Sequence, residues 1–200
     1  MRRIISALLA AMMVMGLAMT ASAATITINN TDDPPITYQA YQVIKGDVVT
    51  ENGKTTFSNV TWGSGINPTT FLPAVKQLIA FKDVTDADSF VKALSKQQND
   101  SAVMQALANI VNKSLSTTVA GTSTQTQSPY TINVAESGYY FVKDTSGLAA
   151  ADGRDSKYAL VIVDQAASVT VKTKVPDHDK KVLENQGTNY TATVVERDLG

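Results

Sequence analysis

The hydrophobic period changes twice along the chain, and that change limits the folds open to it. From Ala24 to Trp62 apolar residues alternate with polar ones, the pattern of half-buried strands. From Pro68 to Leu115 they recur every three to four residues, the pattern of amphipathic helices. From Tyr130 to Lys174 the alternation returns. Helices with one apolar stripe need a surface to cover, and a sheet is the natural one. The order predicts a mainly β fold, a β-sandwich with helices over about 67–115 inserted in one connection.

Within that frame, Ala24–Asn30 reads as a first strand and Ile36–Ile44 as a second, with Asp32-Asp33-Pro34-Pro35 turning between them. Asp47–Thr50 continues extended. Asn52-Gly53, the strongest short hairpin signal, then sends the chain back along Thr55–Trp62. Three helices are expected: Pro68–Phe81, Thr85–Lys96 behind Thr85 or Asp86 as cap, and Asp100–Leu115 behind Asp100 or Ser101. Pro73 is tolerable only in a first turn. Ser116–Ser128 reads as a loop, Tyr130–Val134 and Gly138–Asp144 as strands, and Ser146–Asp155 as a second loop. Tyr158–Asp164 is apolar at nearly every position, which predicts a central strand, and Ser168–Lys174 closes the unit. Val175–Asp179 reads as a linker and 175–200 as the cut-off start of a second domain, since about 25 residues bury too little to fold alone.

Residues 1–23 carry an export signal: Arg2 and Arg3, an apolar run from Ile4 to Met19, and a small-residue site with cleavage between Ala23 and Ala24. Cleavage takes 17 basic residues to 15 against 18 acidic ones, a net charge of about −3. That balance disfavours a nucleic-acid partner, and contact with a membrane is expected only during export. There is no cysteine, although exported domains of this size are commonly stapled by disulfides. The lone histidine, His178, sits beside a proline in a charged segment, which makes a histidine-dependent hydrolase improbable and offers no metal site. No cofactor is implied.

Few constellations suggest chemistry. Gly63-Ser64-Gly65 lacks the spacing of a nucleophile elbow and reads as a turn. Asp32-Asp33, Asp86 with Asp88, and Asp177 with Asp179 lack the ligand density of a calcium loop and read as caps or solvated turns. The glycosylation-type triplets at Asn59 and Asn112 match by chance often. Lys172, Lys174, Lys180 and Lys181 flank Pro176, and spacing alone makes them a solvated basic cluster. An exposed lysine, with a pKa of about 10.4, is a poor nucleophile at neutral pH. Amide formation requires it to be desolvated or docked in an enzyme that supplies the base and the acyl group.

Several phrases taken in order say more. TITINN, TYQAYQVIKGDVV, SNVTWGSG, a helical insertion, ESGYYFVKDT, SKYALVIVD, SVTVKTKVP and DKKV follow the signal segment. The series resembles the N-terminal domain of the major (backbone) pilins of Gram-positive bacteria, shaft subunits polymerised by sortase, over about Thr25 to Gly200. The resemblance implies an Ig-like, CnaB-like sandwich whose last strand ends in a pilin motif. There a lysine accepts the acyl group that sortase takes from another subunit's sorting signal. The V-x-V-Y-P-K portion of that motif falls on Val169-Thr170-Val171-Lys172-Thr173-Lys174, nominating Lys174 as acceptor. Lys172-Thr173 replaces the aromatic–proline pair and Gln165 stands at the motif's tryptophan, so Lys172 is the runner-up.

Pilins of this family also carry internal Lys–Asn amide bonds promoted by a buried acid, which stand in for disulfides. By resemblance Lys180 or Lys181 is the lysine of such a bond in the following domain; within the first domain Lys45 and Glu136 are the possible contributors. The implied partners are other copies of the same subunit, a class C-type sortase, minor pilins and host surface ligands, with the product at the cell wall. No LPxTG-like signal occurs in the 200 residues, and the expectation is that they are a fragment. Two rival readings are a surface adhesin or ligand-binding sandwich that is not polymerised, and, less favoured, a secreted enzyme.

Overall fold

A computed structural model describes residues 23–30, 35–51, 54–98, 101–146 and 158–170 of the chain. Among the described residues, eight strands and three α-helices follow one another: β1 Ala24–Asn29, β2 Tyr38–Glu51, β3 Lys54–Trp62, α1 Pro68–Val75, α2 Ala87–Leu94, α3 Ala102–Lys113, β4 Gly121–Thr122, β5 Tyr130–Val134, β6 Gly138–Asp144, β7 Tyr158–Val163 and β8 Ala166–Thr170. They form a three-stranded sheet, β5-β1-β8, and a five-stranded sheet, β3-β2-β6-β7 with β4 pairing β2. The architecture is mainly β, a sandwich with a helical insertion, as the periodicity predicts.

Two apolar cores share the five-stranded sheet. Between the sheets lie Ile26 and Ile28 of β1, Tyr130 and Ile132 of β5, Tyr38 and Ala40 of β2, Tyr140 and Val142 of β6, and Val161 and Val163 of β7. On the sheet's other face, Val43, Ile44, Tyr139 and Phe141 meet Phe71, Val75, Phe81, Phe90, Leu107 and Val111 of the insertion. Alternation along β6 therefore sends Tyr140 and Val142 one way and Tyr139 and Phe141 the other, and both sets are buried. Alternation in β2 breaks once. A register shift against β6 between Gln42 and Ile44 leaves both Val43 and Ile44 on the helical side.

The insertion is closed at its base. Ile66 and Leu115 form an antiparallel bridge, Asn67 N–H donates to the Ser114 carbonyl at 2.8 Å, and Ser116 N–H donates to the Gly65 carbonyl at 3.0 Å. Gly63 and Gly65 bond the Val43 and Gln42 carbonyls at 2.9 Å each, and a Cβ on Gly63 would lie 2.3 Å from the Gln42 carbonyl oxygen. Only glycine admits that approach. The caps are local: Asp86 forms a capping box with Ser89, and Ser101 accepts from Met104 N–H.

Three expectations change. Pro68–Phe81 is not one helix. α1 stops at Val75, Leu78 is extended, and a 3-10 turn spans Ile79–Phe81. Pro73 lies in the second turn rather than the first, where its missing N–H removes a helix bond. In a continuous helix Phe81 would fall about 80° off the Phe71–Val75 face, at 100° per residue. The break turns it into the core and leaves Ile79 87% exposed. β7 stands at the end of its sheet among the described residues, not at the centre; β2 and β6 are central. Ala159, Val161 and Val163 face the other sheet and Tyr158 and Leu160 the helices, while Ile162 is 41% exposed. The 116–128 loop contains β4, which pairs Gln39 and Ala40 of β2. The second strand runs unbroken from Tyr38 to Glu51, with Glu51 opposite Lys54 as a two-residue Asn-Gly turn requires; Asn52-Gly53 itself lies outside the described residues.

Candidate functional site

The sequence directs attention to the end of the last strand. β8 pairs β1 in parallel, from Thr25 opposite Ala166 to Asn29 opposite Thr170. β1 also pairs β5 antiparallel, placing Ala24 opposite Val134 and Ile28 opposite Tyr130. The sandwich therefore has an entry end, with Ala24, Val134 and Ala166, and an exit end, with Asn29, Tyr130 and Thr170. Ala23 is exposed, and Ala24, the first residue of β1, is fully buried.

A buried polar cluster holds the exit end. Asn30, 1% exposed, donates from its side-chain amide to the Tyr38 hydroxyl at 2.8 Å. Its backbone N–H donates to the Ser128 hydroxyl at 3.0 Å. Tyr38 N–H donates to Ser123 Oγ at 3.0 Å, and Ile36 N–H to the Tyr130 hydroxyl at 3.2 Å. Tyr38 and Tyr130 meet edge to face at 5.3 Å between ring centroids. These bonds tie the end of β1 to the chain entering β2 and to the start of β5. Burying an amide and two phenols without partners would cost several kcal/mol, on the order of 1–3 for each unmet group. None of these residues stands out in the sequence: an asparagine after a strand and a tyrosine within one are common, and only the fold brings them together.

A second polar set closes the entry end. Gln42 donates to the Tyr140 hydroxyl at 3.1 Å and to the Ser137 carbonyl at 3.3 Å, and the Tyr140 hydroxyl donates to the Glu136 carbonyl at 2.7 Å. Burial, with the Glu136 charge beside it, pushes the Tyr140 phenol up to about 12, against a smaller opposing effect of the Gln42 bond. Burial alone raises Tyr139. Gly138 is held at a φ of 151°, and a Cβ there would lie 2.1 Å from the Ile44 carbonyl oxygen.

The four motif lysines, Lys172, Lys174, Lys180 and Lys181, lie outside the described residues, as do His178, Asp32, Asp33, Asp177 and Asp179. Lys45 and Glu136 do meet, at 2.5 Å, but at the entry end and with 53% and 36% of their side chains exposed. That is a surface ion pair between two solvent-accessible side chains. Asn59, in the adjoining strand, bonds Asp47 at 2.6 Å instead. Lys76, Lys82, Lys92, Lys96 and Lys113 are exposed and Lys143 is half-buried, so no lysine whose side chain is described has a desolvated setting. Ser64 is exposed in its turn, and its carbonyl accepts from the Ser116 hydroxyl at 2.6 Å. Asp86 serves its cap, with Ser89 holding the carboxyl below the usual range, and Asp88 pairs Lys92 at 2.6 Å.

No family model matches the chain, and no curated protein sequence does. Among solved structures, the chain is similar to the T6 backbone pilin of serotype M6 Streptococcus pyogenes, at 15% identity and a TM-score of 0.40 over 77% of this chain. It is also similar to the RrgB pilus protein of Streptococcus pneumoniae, at 11% identity and a TM-score of 0.27 over 76% of this chain. The matches cover 28% and 30% of those pilins, so the chain spans less than a third of their length.

Proposed function

We propose that the chain is the N-terminal part of a structural subunit of a cell-surface pilus, exported after cleavage between Ala23 and Ala24 and joined covalently to other copies by sortase. Lys174 is the acceptor, with Lys172 as runner-up. The linkage forms when the neutral lysine amine attacks the thioacyl bond of the sortase intermediate; the enzyme thiol leaves and an amide remains. Lys180 or Lys181 serves an internal amide bond of the following domain.

The observation that supports this reading is the parallel pairing of β1 with β8, described as far as Thr170. Lys172 and Lys174 follow that residue by two and four positions in the sequence, where the resembled pilin motif has its lysine. Supporting it are the order of the matching phrases and the expected use of an external enzyme, since a lysine amine with an ordinary pKa of about 10.4 is a poor nucleophile at neutral pH without an activated acyl donor. A sortase-treated preparation of the mature chain, supplied with an acyl donor bearing a sorting signal, tests it on a denaturing gel. Lys174→Arg abolishes the shifted species and Lys172→Arg leaves it; a shift that survives the double variant removes the assignment.

A further inference from the structure

We draw no further inference here: the strongest candidate, the backbone edge of β2 from Asp47 to Glu51, which runs past its last β6 partner with Val49 47% exposed, carries nothing because nothing in the structure shows what covers it.

Discussion

The two cores on either side of the five-stranded sheet are built from different chemistry. The helical side is a cluster of rings: Phe90 lies 5.3 Å from Phe71 and 5.6 Å from both Trp62 and Phe81, centroid to centroid. The inter-sheet side mixes aliphatic residues with three tyrosines, Tyr38, Tyr130 and Tyr140, whose hydroxyls all enter hydrogen bonds. Ring packing is tolerant of direction and serves to hold an added layer on the sheet. Directional bonds at the rim fix where strands cross, and so fix both ends of the sandwich. The insertion is thus held by area, whereas the end of β1 and the start of β5 are held by directional bonds.

The largest expected effect comes from removing the centre of the ring cluster. Phe90→Ala leaves a cavity among Trp62, Phe71 and Phe81 and destabilises by about 3–5 kcal/mol. Trp62 is the only tryptophan and packs against this core, so its fluorescence reports the helical side while far-ultraviolet circular dichroism reports the strands and helices together. Coincident urea transitions mean one cooperative unit; an earlier tryptophan transition in Phe90→Ala shows the helical layer melting first and sharpens the contrast.

Asn30→Ala tests the directional side. It strips the buried Tyr38 hydroxyl of its amide donor and costs about 1–3 kcal/mol, with little change in tryptophan emission of the folded state. A loss below 0.5 kcal/mol, on the order of an inert surface change, would break the claim that polar bonds organise the exit end.

Smallest near neutral pH is Tyr140→Phe. Because folding raises the Tyr140 pKa to about 12 from an ordinary 10.0, the folded state holds its proton longer than the unfolded chain. The resulting stability is complete below pH 10 and is lost as pH climbs toward 12. Denaturation midpoints measured from pH 9 to 12 should fall for the parent chain and fall less for Tyr140→Phe; parallel curves would contradict it.

Local signals in the sequence were legible where one residue decides the matter. Asp86 and Ser101 cap their helices because each offers an oxygen to an exposed N–H, and the Asn-Gly pair sets a register that Glu51 and Lys54 keep. Pattern misled where it is ambiguous by nature. A strand apolar at every position reads the same at the edge of a sheet as at its centre, so Tyr158–Val163 gave no hint of its place. The helical period continued through Leu78 and Ile79, and only the need to bury Phe81 breaks it. The polar clusters around Asn30 and Gln42 join residues about a hundred positions apart and left no local trace. The lysine chemistry came from the resemblance in the order of phrases, not from spacing.

The central claim of the proposed function is that Lys174, four positions after Thr170 in the sequence, joins subunits. Peptide mapping of the sortase-joined product by mass spectrometry tests it most directly. The prediction is a branched peptide with the acyl group on Nζ of Lys174. A branch on Lys45, Lys143 or any other lysine of the sandwich body, or a product with no branched peptide, would contradict it.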